Sequence, residues 1–489
     1  MRQISGMDDI FLHFERSGIP MHVGSVTLYQ PPVSGNGPPD FEQIRESIRR
    51  GVRRAPVLRQ RLVSTPLHLD RPHWIDTRDL DLDDHIRRVS LPNPATWVEL
   101  CAVVARIFEE PLDLARPLFE VNVIENLDGI EGLPPGTFAL MTKVHHAALD
   151  GVSAVEIMRT FCDVSEETEL SQPDDEEPES EPNSVGLLGR AWLNQIGRAI
   201  GVAKLAATSL QRLARRQGGP VPSDTDGSNS MPVPRTRFNE RPSSSRVFGG
   251  CHLSLSEVQA VRDAVPGATV NDVILTVVGG ALRRFLDEQH ELPADPVVAM
   301  APISIRSAED SSASGEAAGN RVSMMAVGLG TDIEDPLERL AAVHQIARSS
   351  KKISSEAGSN TLLDVANVVP SAMGELTARA YRALGLSSLH PAIFSCVVTN
   401  VPGPREPLFL AGSRMVACYG LGPIFDGVGL IHPVLSYDGG ITISFTSCRE
   451  MLPDPARYQE LLHESFEELA LATGVRTTSD EISFGQLGT

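Results

Sequence analysis

Apolar residues recur at helical spacing over residues 41–52, where Ile44, Ile48 and Val52 fall on one face, and this predicts an amphipathic helix. Residues 118–124 and 137–144 read as strands. In the second, Phe138, Leu140, Thr142 and Val144 alternate with their neighbours along the chain. Past Gly151 the period lengthens again through Val152, Val155, Ile157, Met158 and Phe161, so a strand runs into a turn and the turn into a helix. In the second half, Ser254-Leu255-Ser256-Glu257 has the form of a capping box opening a helix to about residue 264. Residues 270–286 predict a largely apolar helix, and 336–349, 371–384 and 455–471 predict further ones. Residues 297–305, 320–329 and 393–401 predict strands, the last running into Pro402-Gly403-Pro404. Residues 430–437 and 441–447 flank Asp438-Gly439-Gly440, a hairpin signal. Helices and strands alternate throughout, which places the chain in the α/β (mixed α+β) class.

The alternation breaks once. Residues 163–181 hold ten acids and two prolines with almost nothing apolar, the signature of a solvated linker. Residues 217–231 are again rich in Gly, Ser, Pro and Asp. The chain therefore divides into a first lobe over 1–165, a linker region over 166–235 and a second lobe over 236–489. Inside the linker region, residues 185–216 carry six cations and no acid. On a helical wheel Leu188, Trp192, Ile196, Ala199, Ala203, Ala206, Leu210 and Leu213 share one side, and the cations take the other. Two readings fit this pattern: a helix lying in a membrane interface, and an amphipathic helix packed on its own protein.

At 489 residues the chain exceeds one ordinary domain, and it can bury a large core without disulfides or metals. A net charge of −20 argues against nucleic acid as a partner. The six cysteines stand singly with no CxxC, which fits a reducing compartment and offers no zinc signature. Asp8 and Asp9 stand where a secretory signal would need an apolar run. The apolar runs, such as 273–282, fall well short of the ~20 residues of a spanning helix. The expectation is a cytoplasmic protein, soluble or peripheral on the inner membrane or on lipid droplets. No Walker loop and no strand-led GxGxxG is present, which argues against phosphate donors and hydride carriers.

The densest chemistry lies in Lys143-Val144-His145-His146-Ala147-Ala148-Leu149-Asp150-Gly151. Two histidines end an apolar strand, an acid follows four residues after the second, and Gly151 permits a tight path into the helix. A histidine so placed suits a general base, because imidazole titrates near neutral pH. Adjacent residues on a strand face opposite ways and no further ligand stands nearby, so a metal site is disfavoured. A Ser-His-Asp triad lacks its GxSxG.

The HHxxxDG pattern resembles the active-site motif of the CoA-dependent acyltransferase superfamily. Further segments resemble one family within it, the bacterial wax ester synthase/acyl-CoA:diacylglycerol acyltransferases. They are Pro20-Met21-His22-Val23-Gly24, Arg116-Pro117-Leu118-Phe119-Glu120 with Phe119 in place of the family's Trp, and Val270-Asn271-Asp272-Val273. Pro302-Ile303-Ser304-Ile305-Arg306, Gly319-Asn320 and Asn400-Val401-Pro402-Gly403-Pro404 complete the set.

The resemblance implies two chloramphenicol-acetyltransferase-like lobes, each a mixed sheet backed by helices, with the active-site channel between them. His146 would be the base, His145 would point away and support the fold, and Asp150 would hold the loop, with Arg306 a candidate partner. Asn271 or Thr399 would donate to the oxyanion, and Asp272 and Asn400 lie in the same supporting segments. Asn271 also reads as a helix N-cap, a common role for asparagine. Acyl-CoA would be a substrate with no cofactor needed, and diacylglycerol or a long-chain alcohol the acceptor. Other acyltransferases of the superfamily, acting on a polyketide, sugar or peptide, and a non-catalytic lipid-binding relative are the rival functions.

Overall fold

The computed structural model describes residues 2–15, 18–32, 37–65, 70–77, 80–149, 154–165, 233–304, 322–356 and 392–477. The strands are β1 (Arg2–Gln3), β2 (His22–Gln30), β3 (Gln60–Val63), β4 (His73–Asp76), β5 (Ile86–Ser90), β6 (Phe119–Glu125), β7 (Phe138–His145) and β8 (Arg246–Ser254). They continue as β9 (Val298–Ser304), β10 (Val322–Gly328), β11 (Cys396–Pro402), β12 (Phe409–Leu410), β13 (Ser413–Leu421), β14 (Ile431–Tyr437) and β15 (Gly440–Cys448). The helices are α1 (Gly6–Phe14), α2 (Phe41–Arg54), α3 (Trp97–Glu109), α4 (Ala154–Thr160), α5 (Leu255–Arg262), α6 (Val270–Glu288), α7 (Pro336–Glu356) and α8 (Pro455–Thr473).

Two six-stranded mixed sheets organise these elements into two lobes. The first has the order β12-β13-β2-β7-β6-β5, and the second β10-β9-β11-β14-β15-β8. A small sheet, β1-β4-β3, accompanies the first lobe. Although β12 and β13 come late in the chain, they close the edge of the first sheet, with β13 antiparallel to β2. The second half of the chain thus donates two strands to the first lobe.

The alternation read along β7 captures only one of its two buried faces. Phe138, Leu140 and Val144 join a core with Ile44, Ile48 and Val52 of α2 and Ile157 and Met158 of α4. Ala139 and Met141 join a different core with Leu100, Val103, Val104 and Phe108 of α3. All eight residues of β7 are buried. A strand covered on both faces loses the polar half of its period.

The second core also joins the lobes, since Phe248 of β8 and Val416 and Tyr419 of β13 belong to it. Three polar contacts pin the same junction. Trp97 donates from Nε1 to Gln459 at 2.7 Å, the Arg246 backbone N–H donates to Glu109 at 3.2 Å, and the Arg246 guanidinium donates to the Gly18 carbonyl at 2.9 Å. In the second lobe α6 is buried against α5, α7 and α8 through residues such as Val273, Val277, Val258, Leu340 and Leu462.

The hairpin forms as its residues require. Asp438 and Gly439 both adopt positive φ, 42° and 85°, the geometry of a tight type I′ turn. The helix α5 begins where expected, but the capping box does not form: the Ser254 hydroxyl pairs with that of Ser256 at 2.8 Å. A neighbouring side chain has taken the bond that the backbone would have supplied. All six cysteines are free and buried. No helix among the described residues is long and apolar enough to cross a membrane.

Candidate active site

The histidine pair straddles the end of β7. His145 is its last residue, and His146 opens a single 3₁₀ turn over His146–Ala148. One such turn cannot hold itself, so its stability must come from outside. The His146 N–H donates to the Met21 carbonyl at 2.9 Å. The Ala147 N–H donates to His145 Nδ1 at 3.1 Å. Ala147 and Ala148 pack into the first-lobe core.

The two rings have opposite surroundings. His145 is fully buried, with Nε2 2.5 Å from a carboxylate oxygen of Glu15, the residue that ends α1. His146 is partly exposed and lies face to face with Phe11 of α1, ring centroids 3.7 Å apart and planes 17° from parallel. Its Nδ1 is buried and has no hydrogen-bond partner among the described residues. Burial, reinforced by His145 and partly offset by its own backbone carbonyl, pushes the His146 imidazole down to about 4. The ring is therefore neutral at physiological pH, and a neutral imidazole keeps a lone pair on one of its two nitrogens.

Beneath the pair lies a buried polar row. His22 faces His145 across β2 and β7 and is 2.6 Å from the Phe108 carbonyl through Nε2. Burial and the nearby Lys143 hold its imidazole well below the usual range. Lys143, also fully buried, donates to the carbonyls of Ile107 at 3.0 Å and Glu110 at 2.9 Å and pairs with Glu120 at 3.3 Å. The strand that carries the histidines is thereby tied to the C-terminal end of α3. Phe119, one residue before Glu120, stacks on His85 with centroids 4.4 Å apart, so the aromatic of the Arg116–Glu120 segment is a packing element.

The second lobe contributes a separate cluster. Thr269 is the N-cap of α6 and shares a reciprocal capping box with Asp272. Asn271 is therefore not the N-cap, because Thr269 already occupies that position and accepts from the Asp272 N–H at 3.2 Å. Asp272 also accepts from the Thr269 N–H at 2.8 Å and meets His344 Nδ1 at 2.9 Å, which commits it to fixing the helix start. Asn271 is left partly exposed, and Asn400 donates to its side-chain oxygen at 3.4 Å. Thr399 and Asn400 lie on β11, which runs parallel to both β9 and β14. The ladder to β14 extends to Pro402, but the ladder to β9 stops at Val397. The sheet thus parts alongside Thr399 and Asn400, at the carboxyl end of its parallel strands, where open α/β sheets form crevices.

The structure brings together Asn271 and Asn400 in one lobe, and His145 and His146 in the other. No bond joins the two groups among the described residues. They approach through packing: Val401, next to Asn400, and Leu149, three residues past His146, both pack on the core that holds Ala147 and Ala148. Phe14 of α1 meets Phe425 of the second lobe, centroids 6.0 Å apart. Asp150, Gly151, Arg306 and the basic segment 185–216 lie outside the described residues. A cleft of about 630 Å³ at the opposite end of β7, lined by Phe41, Arg88, Glu125 and Phe138 among others, includes none of the candidate residues.

Sequence reasoning missed Phe11 and Glu15. A signal was present, since Glu15 follows Phe11 by four residues at the end of a helix opened by Ser5 and Asp8, a spacing that brings side chains to one side.

Residues 4–274 match the wax ester synthase/diacylglycerol acyltransferase catalytic domain, and residues 318–470 match the C-terminal domain of the same family. The O-acyltransferase WSD of Acinetobacter baylyi is 31% identical over 490 residues, covering 99% of each chain. A probable diacylglycerol O-acyltransferase of Mycobacterium tuberculosis is 30% identical over 481 residues, 96% of this chain and 98% of its own. Among solved structures, the wax ester synthase/diacylglycerol acyltransferase of Marinobacter aquaeolei VT8 superposes with a TM-score of 0.67 at 25% identity, over 97% of this chain and 100% of that one. The starter condensation domain of rhizomide synthetase shares the fold at 16% identity, with a TM-score of 0.51 over 99% and 96% of the two chains.

Proposed function

The chain belongs to the wax ester synthase/diacylglycerol acyltransferase family, and on that premise we propose that it moves a fatty acyl group from acyl-CoA to a lipid hydroxyl, with His146 as the general base. It is an O-acyltransferase, and its acceptor class is diacylglycerol, a long-chain alcohol, or both. The observation that carries the base assignment is the pairing of a buried His145, held by Glu15 and the Ala147 N–H, with a partly exposed, neutral His146 on a turn fixed by its neighbours.

The alcohol hydroxyl has a pKa far above neutral, so it needs an acceptor for its proton within hydrogen-bond reach as it attacks. Nε2 of His146 takes that proton while the hydroxyl oxygen bonds to the thioester carbon. The tetrahedral intermediate then expels CoA thiolate, which recovers the proton from the imidazolium, leaving ester and free CoA. A thiolate is a good leaving group, so no acyl-enzyme is required. Oxyanion stabilisation calls for a fixed donor. Asn271 supplies it in this reading, with Thr399 the alternative. The contact from Asn400 engages the Asn271 oxygen and not its amide N–H₂. Asp150 holds the loop after the turn, a role that its sequence position supports.

Docking on anionic lipid, at a membrane or a droplet, is assigned to residues 185–216 on the strength of their sequence alone. Sedimentation with anionic vesicles tests it: binding should weaken with salt and on replacing Arg190, Arg198 and Lys204 by Glu. Equal, salt-independent partitioning would refute it. The activity itself is tested by following free CoA thiol with one acyl-CoA and either diacylglycerol or hexadecanol. Release that depends on either acceptor supports the reading. Release with neither, or only with a sugar, peptide or polyketide, overturns it.

A further inference from the structure

We propose that Glu15 is a positioning residue for acyl transfer, locking the tautomer of His145 and, through it, the turn that presents His146. The inference rests on His146 being the base. The Ala147 N–H points at Nδ1 across 3.1 Å, and an N–H can only donate, so Nδ1 must carry a lone pair. The N–H of the ring then sits at Nε2. That proton is deep in the protein, on a side chain with no exposure, and needs an acceptor. Glu15 provides it at 2.5 Å from across 130 residues of sequence.

Removing the carboxylate leaves Nε2–H stranded. The ring can escape by moving its proton to Nδ1, but that nitrogen would then oppose the Ala147 N–H, donor against donor. Either outcome loosens the turn that begins at His146. The role of Glu15 is therefore indirect and specific: it selects which His145 nitrogen accepts. The anchor is itself anchored. The Glu15 N–H donates to the Phe11 carbonyl at 3.0 Å, and Phe11 covers the ring of His146. The last turns of α1 and its C-cap thus grip both histidines, residue 11 on one ring and residue 15 on the other.

A double-mutant cycle over Glu15→Ala and His145→Ala tests this, with kcat and KM measured for acyl-CoA and for a soluble alcohol. Glu15→Ala should lower kcat about 10–100-fold, the usual cost of losing an orienting partner, while KM for acyl-CoA stays within about twofold. Glu15→Gln, which keeps an oxygen to accept from Nε2–H, should recover most of the loss. Adding Glu15→Ala to His145→Ala should cost nothing further, because the residue through which Glu15 acts is already gone. Multiplicative losses in the double variant, or a rise in KM with unchanged kcat, would overturn the proposal.

Long-range ¹⁵N spectra of histidine-labelled wild type read the tautomer without any variant, and an Nδ1–H form of His145 would overturn it equally. His146→Ala in the same assay separates the two layers. If it stays active, the base assignment fails. If it is dead while the cycle is multiplicative, only the Glu15 assignment fails.

Discussion

Removing the Phe11 ring should move the acid limb of the pH–rate profile. Burial is the chief reason that the His146 imidazole sits at about 4 in place of its ordinary 6.5, and Phe11 covers one face of that ring at 3.7 Å. At pH 6 a base of pKa about 4 is only ~1% protonated, whereas one at 6.5 would be roughly three-quarters protonated and its rate cut about fourfold. Wild-type kcat/KM for the acceptor, at saturating acyl-CoA, should thus be flat from pH 8 to about 5.5. Phe11→Ala admits water to the ring and lets its pKa rise. A rise of one unit corresponds to about 1.4 kcal/mol of recovered solvation of the imidazolium. The limb should climb by about that unit, so that the rate at pH 5.5 falls while the plateau at pH 8 changes less. Free CoA is read with 4,4′-dithiodipyridine, which reports thiols in acid as well as base. Phe11 is only partly buried, so its loss should cost about 1–3 kcal/mol, below the full core value. A wild-type limb near 6.5, or a limb that stays put in a folded Phe11→Ala protein, would refute the reasoning.

Lys143→Met should destabilise the first lobe by about 2–4 kcal/mol, because it strands the carbonyls of Ile107 and Glu110 at the end of α3 and removes a cation from buried Glu120, which still meets Asn122 and Arg87. Thermal or urea unfolding checks this, and pairing it with Glu120→Gln should recover part of the loss; full stability in the single variant would contradict it. Gly403→Ala should lower the melting temperature, since a Cβ there would sit 2.1 Å from the Ser436 backbone oxygen and the β11–β14 ladder would have to shift; an unchanged melt would show that the turn is looser than its geometry. Stability should fall as pH drops from about 6.5 toward 4, because the folded-state values of His146, His252 and His432 lie below the unfolded one, so the unfolded chain binds more protons there; urea titrations showing greater stability at pH 5 than at 7 would reverse that sign.

The parts of the site legible in the sequence were those built locally. The strand-turn-helix around His145 and His146, the α6 start near Asn271 and the Asp438-Gly439 hairpin each depend on residues within a few positions of one another. The capping of α6 was also local, since Thr269 stands three residues before Asp272, and that spacing outranks Asn271 as a cap. What could not be read required distant partners. Glu15 finds His145 across 130 residues, and β13 crosses to pair with β2 in the other lobe. Period-2 alternation failed to reveal the second buried face of β7, because α3 covers the side that a half-exposed strand would leave to water. Local pattern specifies where a strand lies, and only tertiary contacts specify what covers it.

The central claim is that His146, and not His145, takes the proton from the acceptor. Acceptor-dependent release of CoA from His146→Ala and His145→Ala, each first shown to be folded by its melt and near-UV spectrum, tests it most directly. The account predicts that His146→Ala loses on the order of 10²–10⁴ in kcat and that His145→Ala keeps a measurable fraction of turnover. A folded His146→Ala protein that turns over at close to the wild-type rate would contradict it.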